Sequence, residues 1–454
     1  MFRTHFARQL GVAAALVAGA WPQATQASGF SVARFAGEHG HPTTDNPTGL
    51  YFNPAALRAR RVELFIDGLF GFRRLTYTRT AAPTDATEPS GAEGANVGRA
   101  RLAGGLASPS FWLAVPASSR LVIGLGIFTP FGGPIDWDER PAFSRSRYPG
   151  PVDGVQRFHG IEGLSITTYS SVGASYALGE TGLRLGLAIN AMYTRVEDVR
   201  AWSGGQNGVV GEGRSLLEVD GMAWGVAGGA FYEAPDQRWR IGLSYQSRPN
   251  LAGGMSLPGR LSNDIGGPSS ANVELHEDLP DIARLGVAYR ARSSLELRAA
   301  AAWERWSAFA RQCVTQAGAA CELTPSGGQP DAGSVLQNIP RNFRDAFEAR
   351  VGVSVWTSPD LELFSGIGAM SEAAPSETLD ASLPDFFGVT FSLGARLRLS
   401  HAFSVGGSLS HLVSPARSAH SRYQDYELPS QLPDASGRYA QSVSYADLNV
   451  SVRF

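Results

Sequence analysis

From Val62 to Phe454 the chain alternates apolar with polar or small residues in about fourteen runs, and the joins between runs are alternately short and long. The clearest run sets Phe387, Val389, Phe391, Leu393, Ala395, Leu397 and Leu399 against Gly388, Thr390, Ser392, Gly394, Arg396, Arg398 and Ser400. Successive side chains of a strand point to opposite faces, so one face is apolar and the other polar or small. Leu183 to Ala191 and Phe347 to Val355 repeat the pattern. The expected strands are 62–78, 100–116, 120–132, 164–178, 182–197, 219–233, 237–250, 271–291, 293–310, 345–358, 360–372, 385–400, 402–414 and 438–454. Short joins fall at 117–119, 179–181, 234–236, 292, 359 and 401, and every other join is long. A soluble sandwich has no reason to sort loop length by parity. An outer-membrane barrel does, with tight periplasmic turns on one rim and long extracellular loops on the other. The fold class is therefore all-β, a closed transmembrane antiparallel barrel of about fourteen strands.

The N-terminus agrees with export. Arg3, His5 and Arg8 flank an apolar run from Leu10 to Trp21, followed by small residues ending at Ala27. A basic stretch, a short apolar stretch and a small-residue cleavage site make a signal peptide, here residues 1–27. The apolar run falls short of the about 20 residues that a spanning helix needs. At the other end, Leu448, Val450, Val452 and Phe454 share one face of the last strand. An aromatic carboxyl terminus on such a strand is similar to the signal read by the outer-membrane barrel assembly machinery.

Composition excludes several functions. The net charge of −2 argues against a nucleic-acid partner. Cys313 and Cys321 lie close together in one loop-like segment and, in an exported chain, are most simply a disulfide. Further metal ligands are not near them, and neither metal nor cofactor is expected. His401 and His411 sit among serines without a nucleophile motif, so an enzyme is not expected.

Residues 28–61, between the cleavage site and the barrel of 62–454, are rich in Gly, Pro, Asp, Asn and Thr. Asn53-Pro54 favours a turn, and Pro54 suits the start of a short helix. A lumen of this size exceeds what the barrel's own side chains usually fill, so a compact N-terminal hatch within it is physically reasonable.

The chain resembles the FadL-type outer-membrane transporters of long-chain fatty acids and other hydrophobic compounds. The residues that carry the resemblance begin with Gly29-Phe30, Tyr51-Phe52-Asn53-Pro54-Ala55-Ala56-Leu57 and Thr129-Pro130-Phe131-Gly132 with Trp137. They continue with Arg147-Tyr148-Pro149-Gly150, Asn190 to Arg195, Trp303-Glu304-Arg305-Trp306-Ser307 and Arg344-Asp345-Ala346-Phe347. The resemblance implies that 28–61 is a hatch whose Asn53, Pro54 and Ala55 contact an inward kink in the third strand, near Thr129, Pro130, Phe131 and Gly132. It implies that ligand leaves sideways into the membrane through that kink. Pro130 itself marks either a bulge or the end of the third strand. Phe30 and Arg195 are the candidate pocket residues, Arg195 matching a basic residue that holds a carboxylate. Its parity groups Arg195 with Leu187, Ile189 and Tyr193 on the lipid side, so either a bulge re-aims it or it snorkels at the rim. The expected function is uptake of fatty acids or other hydrophobic small molecules by a monomer surrounded by outer-membrane lipid. A general porin for small polar solutes is the alternative.

Overall fold

Alternation along the chain becomes a wall whose apolar side faces outward. The computed structural model describes residues 35–81, 88–203, 209–251, 254–264, 269–324, 334–420 and 434–454. The first strands are β1 (Glu63–Arg79), β2 (Gly98–Pro116), β3 (Leu121–Asp136), β4 (Glu162–Ala177), β5 (Leu183–Ser203), β6 (Glu212–Glu233) and β7 (Trp239–Gln246). Next come β8 (Met255–Asn263), β9 (Ser269–Glu277), β10 (Ile282–Arg292), β11 (Leu295–Glu304), β12 (Arg311–Gln316) and β13 (Val335–Pro340). The chain ends with β14 (Ala346–Trp356), β15 (Leu361–Met370), β16 (Gly388–Arg398), β17 (Phe403–Val413), β18 (Arg417–Ala419) and β19 (Gly437–Arg453).

Following the ladders from β1 through β7, β10, β11, β14 to β17 and β19 returns to β1, so fourteen of the nineteen strands close a ring. The seam is the long β1–β19 ladder, from Glu63↔Arg453 to Thr78↔Arg438. Closure leaves no edge, which a bilayer demands because unpaired backbone groups find no water there. Outward residues are apolar: Leu187 is 74 % exposed and Leu393 64 %. Inward neighbours on the same strands are polar, as with buried Arg284 and Arg298 beside exposed Leu285 and Leu297. Apolar outside and polar inside inverts the soluble rule and fits a membrane barrel. Among the described residues no helix is long and apolar enough to span a membrane.

Pairing corrects the expected strands at the long-loop side. The expected strand 271–291 is two strands, β9 and β10, separated at Asp278-Leu279-Pro280-Asp281. Pro280 cannot donate to a ladder, and Asp281 caps the break, accepting from Tyr245 Oη at 2.6 Å and from the Arg248 N–H at 3.1 Å. The joins expected as loops, 251–270 and 311–344, contain β8, β12 and β13. Gly and Pro content there reads as loop. The upper half of β6 overrides it by offering Ser215 to Val219 as a template to β8, whereas Ala227 to Glu233 pair with β7. A short sheet β8-β9-β12-β13 thus extends the wall on the long-loop side. Cys313, on β12, is joined to Cys321 in this extension, so one partner lies on a strand.

A closed ring resists dissociation in a way that a soluble sheet does not. Unboiled protein should migrate apart from boiled protein on a denaturing gel and should fractionate with outer membranes. Identical migration, with recovery in the soluble periplasm, would contradict the ring.

Candidate functional site

β3 is irregular in its middle. Its ladder with β4 shifts register between Phe128↔Tyr169 and Phe131↔Thr167, so β3 carries one extra residue across Thr129 and Pro130. Gly132 follows with φ +115°, and a Cβ there would lie 2.1 Å from the Ser165 carbonyl oxygen, so only glycine fits. Thr129 Oγ1 lies 3.1 Å from Thr168 Oγ1 across the bulge. The extra residue inverts parity. Up to it the buried residues of β3 are even-numbered, Val122 to Pro130, and beyond it they are Gly133 and Ile135, while Phe131 packs inward against Tyr169 and Trp306.

The other side of β3 is open. β2 and β3 pair from Pro116↔Val122 to Phe111↔Ile127 and meet again at the bridge Leu102↔Trp137. Between these points, among the described residues, no ladder pair joins Ala103–Ser110 to Phe128–Asp136. Three prolines, Pro109, Pro130 and Pro134, lie along this stretch and remove N–H groups that would otherwise need partners.

An aromatic cavity backs onto the bulge from inside. It holds about 600 Å³ of empty space, part of it open to solvent, and includes Phe131, Gly132, Trp306, Phe309 and Phe343 in its lining. Trp306 anchors it, with ring centroids 6.2 Å from Phe131, 6.1 Å from Phe309 and 6.0 Å from Phe343. The Trp306 Nε1–H donates to Glu304 at 2.7 Å, which leaves the ring's apolar surface to the cavity. A second cavity, of about 540 Å³, shares Ser165, Gln312 and Leu383 with the first. Its arginines are matched: Arg341 pairs with Asp380 at 2.9 Å, and Arg200 pairs with Asp198.

Below the cavities the lumen is filled by the N-terminal segment. Its short helix α1 (Gly49–Phe52) leads into a 3₁₀ turn, Pro54–Ala56. Asn53 is fully buried and caps that turn, its Oδ1 accepting from the Ala55 N–H at 3.1 Å. Asn53 Nδ2 donates to the carbonyls of Pro42 at 3.1 Å and Ala230 at 3.0 Å. The turn lies on three inward glycines of adjacent strands. A Cβ on Gly186 would lie 2.2 Å from the Ala55 nitrogen, one on Gly229 2.1 Å from Asn53 Oδ1, and one on Gly242 2.1 Å from the Pro42 carbonyl. Ser175 Oγ donates to the Ala55 carbonyl at 2.9 Å and Ser244 Oγ to the Phe52 carbonyl at 2.6 Å.

The opposite wall grips the segment by charge. Glu38 accepts from Ser392 Oγ, Arg350 donates to the Gly40 carbonyl, and His39 Nε2 lies 3.3 Å from Glu362. His41 Nδ1 accepts from the Thr43 N–H at 3.2 Å, which requires an unprotonated nitrogen. Burial, reinforced by Arg298, Arg350 and Arg240, holds the His41 imidazole well below its ordinary pKa.

Comparison with known proteins settles the kinship. The family of outer membrane protein transport proteins (OMPP1/FadL/TodX) matches residues 10–454. The chain belongs to this family. A Pseudomonas aeruginosa FadL homologue shares its fold at a TM-score of 0.74 and 18% identity, over 96% of this chain and all of that one. The toluene transporters TbuX of Ralstonia pickettii and TodX of P. putida each give a TM-score of 0.64. Their identities are 17% and 14%, over 93% of this chain and 98% of each of theirs. A 47 kDa outer membrane protein of Pasteurella multocida is 23% identical over 246 residues. That match spans about half of each chain. As a member of this outer-membrane family, the protein resides in the outer membrane.

Within this OMPP1/FadL/TodX chain the expected site residues separate. Thr129 to Gly132 form the bulge, so β3 does not end at Pro130. Asn53, Pro54 and Ala55 do not pack on that bulge; their hydrogen bonds go to the plug itself, β4 and β6. The plug reaches β3 instead through Phe35 and Tyr51, whose rings lie 5.5 and 5.2 Å from Phe128. Arg195 is no pocket residue: it is exposed on the outer face and paired with Glu197, because β5 runs without a bulge and keeps its parity. Phe30 and residues 1–27 lie outside the described residues. Sequence reasoning missed the glycine seat, although glycine at inward positions of three consecutive strands is a legible sign of close backbone approach.

Two outcomes follow for the plug. Gly186→Val keeps strand propensity but collides with Ala55, so it should undock the plug from an assembled barrel. Planar-bilayer conductance to small ions should rise severalfold, and unchanged conductance would show that the segment does not seal the lumen. The His41 shift gives a second outcome. A released His41 takes up a proton near pH 6.5, whereas the docked one resists it, so docking is strongest above that pH. It weakens by about 1.4 kcal/mol per unit below it, down to the docked pKa. Protease cleavage of the plug should increase between pH 7.5 and 5.5 and respond less to pH in His41→Gln.

Proposed function

We propose that this chain takes up hydrophobic small molecules, fatty acids or hydrocarbons, and releases them sideways through its wall between β2 and β3. The carrying observation is the juxtaposition of the aromatic cavity with the bulged half of β3 that has no ladder to β2, above a lumen closed by a polar plug. A buried CH₂ gains about 0.8 kcal/mol, so an apolar cavity collects such ligands where a watery pore would not. The charged contacts between plug and wall make the axial route costly for the same ligands. A sideways route instead delivers them to hydrocarbon. Toluene transporters among the structural neighbours support this substrate class. The filled lumen counts against a general porin. Assembly as a monomer, with Phe454 presented to the barrel assembly machinery, completes the reading.

Deleting Pro130 removes the extra residue, restores the β3–β4 register and lets β3 rejoin β2 above Ile127. Uptake of a hydrophobic probe into proteoliposomes should fall at least tenfold while heat-modifiable migration persists. A correctly assembled deletion variant with the wild-type uptake rate would rule out the sideways route.

A further inference from the structure

The aromatic cavity contains one acid whose surroundings the uptake reading does not use. Glu277, at the end of β9, lines the cavity with Phe131, Trp306, Phe309 and Phe343. Its Oε2 accepts from Gln312 Nε2 at 2.7 Å. The Gln312 carbonyl is in turn held by Arg341 Nη2 at 2.7 Å, and Arg341 is fixed by Asp380 at 2.9 Å. This relay points the Gln312 amide N–H toward Glu277 and so holds the carboxyl in one orientation. Gln312 neighbours Cys313, whose disulfide to Cys321 braces the same short strand.

The remaining polar atoms decide what the cavity can recognise. Thr167 is engaged with Thr194 at 3.0 Å, and both polar ends of Gln312 are used. Glu277 Oε1 has no hydrogen-bond partner among the described residues, and beside it only the Ser165 hydroxyl is uncommitted in the lining. Among the described residues no guanidinium lines this cavity: Arg341 is engaged with the Gln312 carbonyl, and Arg73, whose Nη1 is uncommitted, is held by Gln441 and by the carbonyl of the lining residue Pro384. A carboxylate ligand would therefore meet the Glu277 carboxyl group and no cation in the described lining. A ring bearing a donor would meet four aromatic side chains and a fixed acceptor.

We infer that Glu277 is a specificity-determining residue, and that the cavity prefers aromatic compounds carrying a hydrogen-bond-donating substituent, a hydroxyl or amino group, over aromatic carboxylates and bare hydrocarbons. The inference rests on the uptake reading and narrows its substrate class. It needs no covalent step.

The test uses the full barrel, titrated calorimetrically in detergent at pH 7.5 with toluene, p-cresol and p-toluate, three probes of similar shape. Wild type should bind p-cresol about tenfold more tightly than toluene, with p-toluate weakest. In Glu277→Leu the cresol-to-toluene ratio should collapse to about one. Glu277→Gln keeps the shape and a carbonyl for Gln312 but turns an N–H toward the cavity, so it should lower the cresol preference and strengthen p-toluate. Equal binding of cresol and toluene to wild type overturns the inference, as does a ratio unaffected by both substitutions. The parent reading fails separately, if proteoliposomes take up none of the three probes.

Discussion

Backbone hydrogen bonding under a ban on water governs this molecule. Each strand of the ring is flanked by two others, and β1 is held by β2 on one side and β19 on the other. Against that rule, the stretch between Phe111↔Ile127 and Leu102↔Trp137 is an exception that has to be supported locally. Prolines reduce the number of donors there, a glycine accommodates the turn of the chain, and the β4 ladder holds the far side of β3 throughout. Pro109, Pro130 and Pro134 thus lower the number of backbone donors where β2 and β3 share no ladder.

The contents of the ring change along its axis. Toward the short-turn rim the interior is a set of buried ions and hydrogen bonds joining plug to wall, and such groups persist only when paired. Toward the long-loop rim an aromatic cavity around Trp306 adjoins the buried pairs Arg341–Asp380 and Arg200–Asp198. Between the two lies a layer of Phe35, Tyr51, Trp112, Phe128 and Tyr169, in which Trp112 and Phe128 stack at 4.3 Å. The bulge in β3 sits immediately above this layer, where the character of the interior changes.

Much of this was legible in the chain. Alternation and loop parity made the fourteen-strand ring legible, since period 2 survives any detail of packing. Cys313 and Cys321 were legible from export and spacing. Parity also placed Arg195 outside, and the structure sides with parity over the matching position. What stayed hidden depends on neighbours distant in sequence. β8 and β12 read as loops because their pairing comes from a template elsewhere, β6 and β9. The seat of Asn53 is written in Gly186, Gly229 and Gly242, three residues that look unremarkable singly and combine only when β5, β6 and β7 stand side by side. Glu277 was swallowed by an expected long strand, and its partner Gln312 by an expected loop.

The plug touches both arcs of the ring, with Asn53 anchored to β6 and Glu38 to β16. The seam that completes the ring lies between the first and last strands. The plug therefore has its full set of contacts only where both arcs of the ring are in place. Docking of the plug is coupled to the integrity of the wall, since loosening either arc removes partners that buried polar groups of the plug need. A loosened wall is thus also a loosened stopper.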